Sequence, residues 1–591
     1  MKLATLRTAS TAAVWLVLLV FGFLAGTVSE RRAFMERPTT APQRPHLFGF
    51  GVDLGEDENL VKGSEVDDLN TDGEARPLRV QPDAFKYRSK QTPLTWPSQH
   101  FGDLDVLAAA HMQRLRPGSS IPATRVPPPQ RRFISDKAER VIARVVATLS
   151  KAPLTPFTAS LATLFENCWP NTLDTTIMHI SDSLNYPDAF VITGDIPAMW
   201  LRDSTNQVAP YLSLLRDIPA RNPRPADWTV LKLFLGVIVR QARSINAYPY
   251  ANAFLYNSSD APGSRDDRVY PPIPLDAEIP THEAKYELDS LCAFLKISNA
   301  VFENLPADAK EHVTLYLLNE HWIAAVETVI GVMRDQQRGT MEEFGEPAYK
   351  FQRNTDTGTE TLILGGVGVP VNRCGLIKSQ FRPSDDASTL PFSIPSNAMA
   401  AVELERLVKV LRFFGLHSQI SDEAERLAKE IRVAIDTYGI VTHPIHGQIY
   451  AYEVDGYGSH YLMDDANVPS LLSLPYLGFT TPDDPLYLRT RAFVLSDANP
   501  YHFRGSAGEG VGGPHCGLGN IWPMAIIMRG LTSTDRAEQE HCFGILIKSA
   551  QSTGFMHESF WKDDVERYTR AHFAWANALL GEFVMKYAGI V

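Results

Sequence analysis

Apolar residues recur at helical spacing through most of this chain from Ser135 onward. Val141, Ile142, Val145, Val146 and Leu149 share one face of the first such stretch. Comparable stretches begin near Asp203, Trp228, Leu288, His312, Pro395, Asp422, Asn520, Ala537 and Ala571. Shorter candidates bring the total to about a dozen helices. Strand signals are sparse, the clearest lying over 362–371 and 447–454. Long helices separated by polar, aromatic-bearing loops predict an all-α domain, and no coiled-coil heptads, helix-repeat consensus or low-complexity tracts interrupt it.

Two regions depart from that pattern. Residues 31–128 are rich in Pro, Gly, Asp and Arg without sustained periodicity, and Pro122–Pro129 ends in three consecutive prolines. They read as a stem with some ordered packing onto the domain at 129–591. Further upstream, Lys2 and Arg7 precede a nearly uncharged run from Thr8 to Ser29. Its length matches the ~20 residues needed to cross a bilayer. Residues 1–30 are therefore expected to form a cytoplasmic tail and a single-pass signal-anchor helix. The bulk of the protein would then face the lumen of the endoplasmic reticulum or Golgi. The small residues of Leu24–Thr27 offer a cleavage site, which would make the protein secreted instead, and Arg31 and Arg32 blur the charge asymmetry that sets orientation. Asn257 opens an Asn-Ser-Ser glycosylation sequon, consistent with a lumenal address.

Composition narrows the function classes. Apolar residues make up 44% and charged residues 21% of the chain, as in ordinary globular proteins. The formal charge of −12 argues against a nucleic-acid partner, which would demand a basic face, and fits a neutral substrate. Five cysteines without metal-ligand spacing leave room for one disulfide, whose partners the sequence does not assign; Cys292, in an apolar helical stretch, reads as core.

The chemistry is concentrated in short strings. Gly194–Val208 sets Trp200, Arg202 and Asp203 at the start of an apolar helix. A Trp face suits the apolar side of a sugar ring, while Arg and Asp exchange hydrogen bonds with its hydroxyls. The bland alternative is that Arg202 and Asp203 pair with each other and cap the helix. Similar strings are Lys285–Ser290, Phe381–Ala387, Tyr452–Gly456, Met463–Asn467, Gly513–His515, Phe555–Phe560 and Phe573–Asn577. Carboxylates, Arg, His and Asn set beside aromatics in this way tend to converge in one pocket.

Together these strings resemble glycoside hydrolase family 125, the exo-acting α-1,6-mannosidases, and in particular its fungal membrane-anchored branch. The resemblance runs from roughly Gln130 to the C-terminus and implies an (α/α)6 toroid, independent of metal or other cofactor. Its substrate would be the non-reducing end of a mannose-rich glycan. An inverting glycosidase needs one carboxylic acid to protonate the leaving oxygen and one carboxylate to activate water. The resemblance assigns the base to Glu558, flanked by His557 and Ser559, which are expected to hold it or a water. It assigns the acid to the Pro383–Asp386 string, read as a helix entrance; Asp385 is preferred, with Asp386 close behind, one catalysing while the other caps or binds.

Trp200, Arg202, Asp203, Glu287, Asp289, Arg382, Asp464, Asp465, His515 and His557 are the candidates for gripping substrate. Asp289 has a helix-capping alternative, His515 a solvated one, and a catalytic role for Asp464 or Asp465 stays open. Trp522 and Trp575 read as core. No His-Glu-x-x-His, EF-hand, Walker or Gly-x-Ser-x-Gly motif occurs in the sequence, and no Gly-x-Gly-x-x-Gly dinucleotide site follows a strand. The rival readings are another glycosidase or a phosphorylase on the same scaffold, and a catalytically inactive mannose-binding protein. Oligomeric state leaves no sequence signal.

Overall fold

In a computed structural model, residues 117–590 are described except for 152–154, 184, 219–224, 258–266, 275–276 and 311–316. The expected tail, anchor and most of the stem lie outside the described residues. Among the described residues no helix is long and apolar enough to cross a membrane.

Among the described residues, twelve helices of eight or more residues follow one another: α1 (Asp136–Lys151), α2 (Pro156–Cys168), α3 (Leu201–Val208), α4 (Pro225–Ala247), α5 (Leu288–Asn304) and α6 (Glu320–Asp335). They continue as α7 (Ile394–Phe413), α8 (Ser418–Ala434), α9 (Pro485–Val494), α10 (Pro523–Leu531), α11 (Arg536–Ser549) and α12 (Ala574–Tyr587). α3 packs against α5 and α12, α5 against α7, α7 against the short helix Leu474–Leu477, and α10 against α12. The remaining helices lean outward onto these, α8 on α7, α11 on α10 and α2 on α12. From α2 onward, with the short helix Leu474–Leu477 counted as inner, the chain thus alternates between outer and inner helices.

Burial follows the same division. Every residue of α3 is buried, polar ones included. On α8 the buried positions are Ser421, Ala424, Leu427, Ala428, Ile431 and Ala434, a stripe at spacings of three and four. Burying Leu427 and Ile431 contributes about 1.5–3 kcal/mol each.

The all-α expectation needs correcting in the loops. Among the described residues, seven small sheets of two or three strands lie between the helices, none with a strand longer than Asp564–Thr569. Strands this brief leave too few alternations for a period of two to register. The predicted strand over 447–454 is present as Gly447–Tyr450 and Glu453–Val454. That over 362–371 is not: the segment is a helical turn at Ile363–Gly366, broken by left-handed Leu364 and Gly365.

Upstream of α1, the end of the proline-rich region is docked. Asn167 of α2 accepts from the backbone N–H groups of Thr124 and Arg125 and donates to the carbonyl of Pro122. Arg125 pairs with Asp174 and Glu139. All five cysteines are free thiols, so the possible disulfide does not form, and Cys292 is a core residue as expected. Asn257 is half-buried just after the strand Ala253–Leu255.

Candidate active site

The first turn of α3 and the start of α5 meet beneath the loop 381–390. Arg202 projects from α3, and its buried guanidinium sits among four carboxyls. Nη1 reaches Glu287 Oε2 at 2.7 Å and lies 3.7 Å from Asp289 Oδ2, while Nη2 reaches Asp385 Oδ1 at 3.2 Å. Nε lies 3.2 Å from Asp203 Oδ2. The Arg202 guanidinium also lies over the Trp575 ring, 5.6 Å from its centroid. Glu287 further accepts from Asn252 at 3.0 Å and from the Ser290 hydroxyl at 2.7 Å.

Four carboxyls crowd this one guanidinium. Burial pushes Glu287 well above the ordinary carboxylate range, raises Asp203, and lifts Asp289 to about 7. Neither Asp203 nor Asp289 caps a helix: the N-cap positions of α3 and α5 are Trp200 and Glu287, neither of which makes a side-chain cap.

The loop carrying Asp385 and Asp386 is a tight turn rather than a helix entrance. It is closed by a bridge between Phe381 and Ala387 and by the bond from Arg382 N–H to the Asp386 carbonyl at 2.8 Å. The helix waits until Ile394, where the Ser393 hydroxyl caps the Ser396 N–H. Asp385 adopts a left-handed φ of 70°, which a side-chain-bearing residue seldom holds without external support. That support comes from Lys285, whose Nζ donates to the Asp385 carbonyl at 2.8 Å, and from Arg202. The strained turn presents the Asp385 carboxyl outward, with 24% of its side chain exposed, while Asp386 is buried. Burial works against the Asp385 carboxylate, but the charges of Arg202 and Lys285 outweigh it and hold its pKa below the usual range.

Asp386 turns inward to His515, with Oδ1 3.6 Å from Nδ1, and accepts from Ser384 at 3.1 Å. Ser384 bonds Asp465 at 3.1 Å as well. A Cβ at Gly513 would stand 3.1 Å from an Asp465 oxygen, so glycine lets the 512–519 loop approach. Burial disfavours the His515 imidazolium, yet Asp386, Asp385 and Glu558 outweigh it and raise the imidazole to about 9. A folded-state value above the ordinary ~6.5 contributes stability that is fully present below pH ~6.5 and lost as pH rises through about 9. In labelled-histidine NMR, His515 is expected to titrate near 9, and Asp386→Asn to bring the midpoint down. An unchanged midpoint would dissolve the pair.

Glu558 stands just before the strand Ser559–Trp561. Arg570 Nη1 lies 3.3 Å from its Oε1, and the Cys516 thiol donates to Oε2 at 3.4 Å. Arg570 is anchored in turn by Asp195, whose two oxygens each accept from Nε at 3.0 Å. Burial pushes the Cys516 thiol up to about 12, so it remains a protonated donor.

Residues 158–585 match the family model described as metal-independent alpha-mannosidase (GH125). The chain belongs to glycoside hydrolase family 125. It is 46% identical over 436 residues to the meiotically up-regulated gene 157 protein of Schizosaccharomyces pombe, covering 72% of this chain and 82% of that one. It also resembles a metal-independent alpha-mannosidase of Streptococcus pneumoniae, solved as a non-productive substrate complex with α-1,6-mannobiose. That match has a TM-score of 0.69 at 32% identity and covers 78% of this chain and 100% of the other.

Within this family 125 site, the structure gathers Arg202, Asp203, Glu287, Asp289, Asp385, Asp386, Asp465, His515 and Glu558. Trp200 lies among Ala198, Ala253 and Leu255, its ring edge-on to His282 at 5.0 Å. Three expected residues prove to be committed elsewhere. Arg382 forms a bidentate pair with Glu453, at 2.6 and 3.0 Å. Both oxygens of Asp464 accept backbone N–H groups, from Leu471 and Leu472. His557 stacks on Tyr568 with 3.8 Å between centroids, so it does not hold Glu558; burial lowers it to about 4. Ser559 bonds Thr569 rather than Glu558. Trp522 and Trp575 are buried, as expected.

Arg570, Asp195, Lys285 and Cys516 escaped the sequence reading. A signal for Arg570 exists: Ser559 pairs with Thr569 across a hairpin, which sets residue 570 opposite residue 558.

Proposed function

We propose that this protein is an inverting exo-α-1,6-mannosidase that removes single mannoses from the non-reducing end of mannose-rich glycans. Asp385 is its general acid and Glu558 its general base. The observation that carries the reading is the division of labour between adjacent aspartates. Asp385 is partly exposed on a strained turn beside Arg202, whereas Asp386 is buried against His515. An acid that must touch the glycosidic oxygen belongs at the exposed position.

In the reaction, water loses a proton to Glu558 as its oxygen attacks C1, and the glycosidic oxygen takes a proton from Asp385 as the C1–O bond breaks. Arg570 and Cys516 hold one oxygen each of Glu558, fixing the plane in which its lone pairs meet water. Arg202, Asp203 and Asp289 lie beside the acid, where they border the terminal sugar. The linkage reading draws on the mannobiose bound by the Streptococcus pneumoniae relative.

Incubating the full-length protein with α-1,6-mannobiose in EDTA, followed by proton NMR, is expected to show β-mannose first. Early α-mannose would exclude inversion. No release from folded protein would exclude the linkage.

A further inference from the structure

We propose that Lys285 is a positioning residue for the general acid. Its ammonium, gripped by Glu360, clamps the turn that carries Asp385 in the conformation from which the carboxyl reaches the glycosidic oxygen. The inference rests on the assignment of Asp385 as the acid.

Asp385 holds a left-handed φ of 70°, a conformation that a residue with a Cβ leaves unless its surroundings forbid it. The turn's own bonds run from Asp385 N–H to the Arg382 carbonyl at 2.9 Å and from Arg382 N–H to the Asp386 carbonyl at 2.8 Å. They use the amide of Asp385 and leave its carbonyl to an outside donor. That donor is Lys285 Nζ, at 2.8 Å. A charged donor makes the stronger kind of hydrogen bond. Holding the carbonyl fixes ψ of Asp385, and with it the direction in which the side chain leaves the turn. Arg202 meets the carboxyl end of the same residue at 3.2 Å, so the two cations hold different atoms.

Lys285 is itself held in place. It is 1% exposed, between the strand Thr281–Glu283 and α5, and its backbone N–H donates to the Asn252 side chain at 3.2 Å. Its ammonium lies 5.4 Å from the centroid of the Phe381 ring, at the start of the turn. Nζ meets Glu360 Oε2 at 3.0 Å and lies 3.5 Å from Glu283 Oε1. Arg353 pairs with both of those carboxylates from the other side. A second tie runs the same way, from Ala387 N–H to the Thr359 carbonyl at 2.8 Å. The helical turn Gly358–Glu360 therefore buttresses the acid turn through two adjacent residues, one by its backbone and one through Lys285. Without the ammonium the strained residue can relax, and a displacement of about 1 Å at a reacting group costs on the order of 10²-fold in rate.

Two substrates of the full-length protein separate that effect from general damage. The leaving group of α-1,6-mannobiose needs a proton, and that of dinitrophenyl α-mannoside does not. Lys285→Met is expected to lower kcat about 100-fold on mannobiose and no more than about tenfold on the dinitrophenyl substrate. Equal losses on both would make Lys285 a general support of the fold or of sugar binding, and would overturn the proposal. Glu360→Gln, at a side chain 26% exposed, decides the case in which Lys285→Met fails to fold. Loosening the grip on Lys285 is expected to cost about tenfold in kcat on mannobiose alone, and equal losses again overturn the clamp.

A lysine acting through its charge alone gives a different pattern. Then kcat would hold in both variants while the alkaline limb moved upward in Lys285→Met and downward in Glu360→Gln, which also overturns the proposal. Asp385→Asn tells a failed clamp from a failed acid. Equal losses of Asp385→Asn on the two substrates would remove Asp385 as the acid. A loss confined to mannobiose there, beside an unchanged Lys285→Met, would keep the acid and overturn the clamp alone.

Discussion

Glu558→Gln lowers kcat on α-1,6-mannobiose by about 10²–10⁴, the range a general base contributes. That equals about 3–5.5 kcal/mol of transition-state stabilisation. The amide keeps the shape of the carboxylate and a carbonyl oxygen for Arg570, but it has no basic lone pair with which to take a proton from water. Arg570 stays anchored by Asp195, so the fold bears little of the change. KM and the thermal midpoint should therefore stay close to the parent values while kcat collapses. Steady-state kinetics beside a thermal melt checks this, and a kcat within tenfold of the parent would remove Glu558 as the base.

Arg202→Met acts on stability and activity together. It strips the guanidinium shared by Glu287, Asp289, Asp203 and Asp385, three of which are fully or almost fully buried. Breaking a buried ion pair from one side costs about 3–5 kcal/mol. The cost should depend on pH in a definite direction. Asp289 already sits at about 7, above its unfolded value, so the folded protein binds the extra proton and stability falls as pH rises from about 4 to 7. Without Arg202, more carboxyls join that group and the window extends upward. Asp385 runs oppositely in the parent, its low pKa contributing stability that is lost only in acid. Melts at pH 5 and pH 8 are expected to show a wider gap between variant and parent at the higher pH. A gap that is equal at both would mean that the guanidinium is not what holds these charges.

The helical architecture was legible where one face of a helix meets solvent. The stripe on α1 and the amphipathic stretch near Asp422 became α1 and α8, because an outer helix must show a period. Helix α2 was missed: nine of its thirteen residues are buried, on more than one face, so its apolar residues mark no single side. Family motifs located the strings of the site for a similar reason, since each string is local. What they lacked was the partner of each side chain. Arg382 looked like a ligand for sugar until Glu453, 71 residues away, claimed it.

By itself the sequence determined the family, the helical character of the domain and the acids in play, because hydrophobic period and local motif are properties of neighbouring residues. The tertiary structure alone decided which aspartate faces outward, which residues hold Glu558, and which charges stand beside each carboxyl. Those depend on burial and on charges brought together from distant segments: Arg202 with Asp385 across 183 positions, and Arg570 with Asp195 across 375. Desolvation and Coulomb interaction act through space, and only the fold specifies those distances.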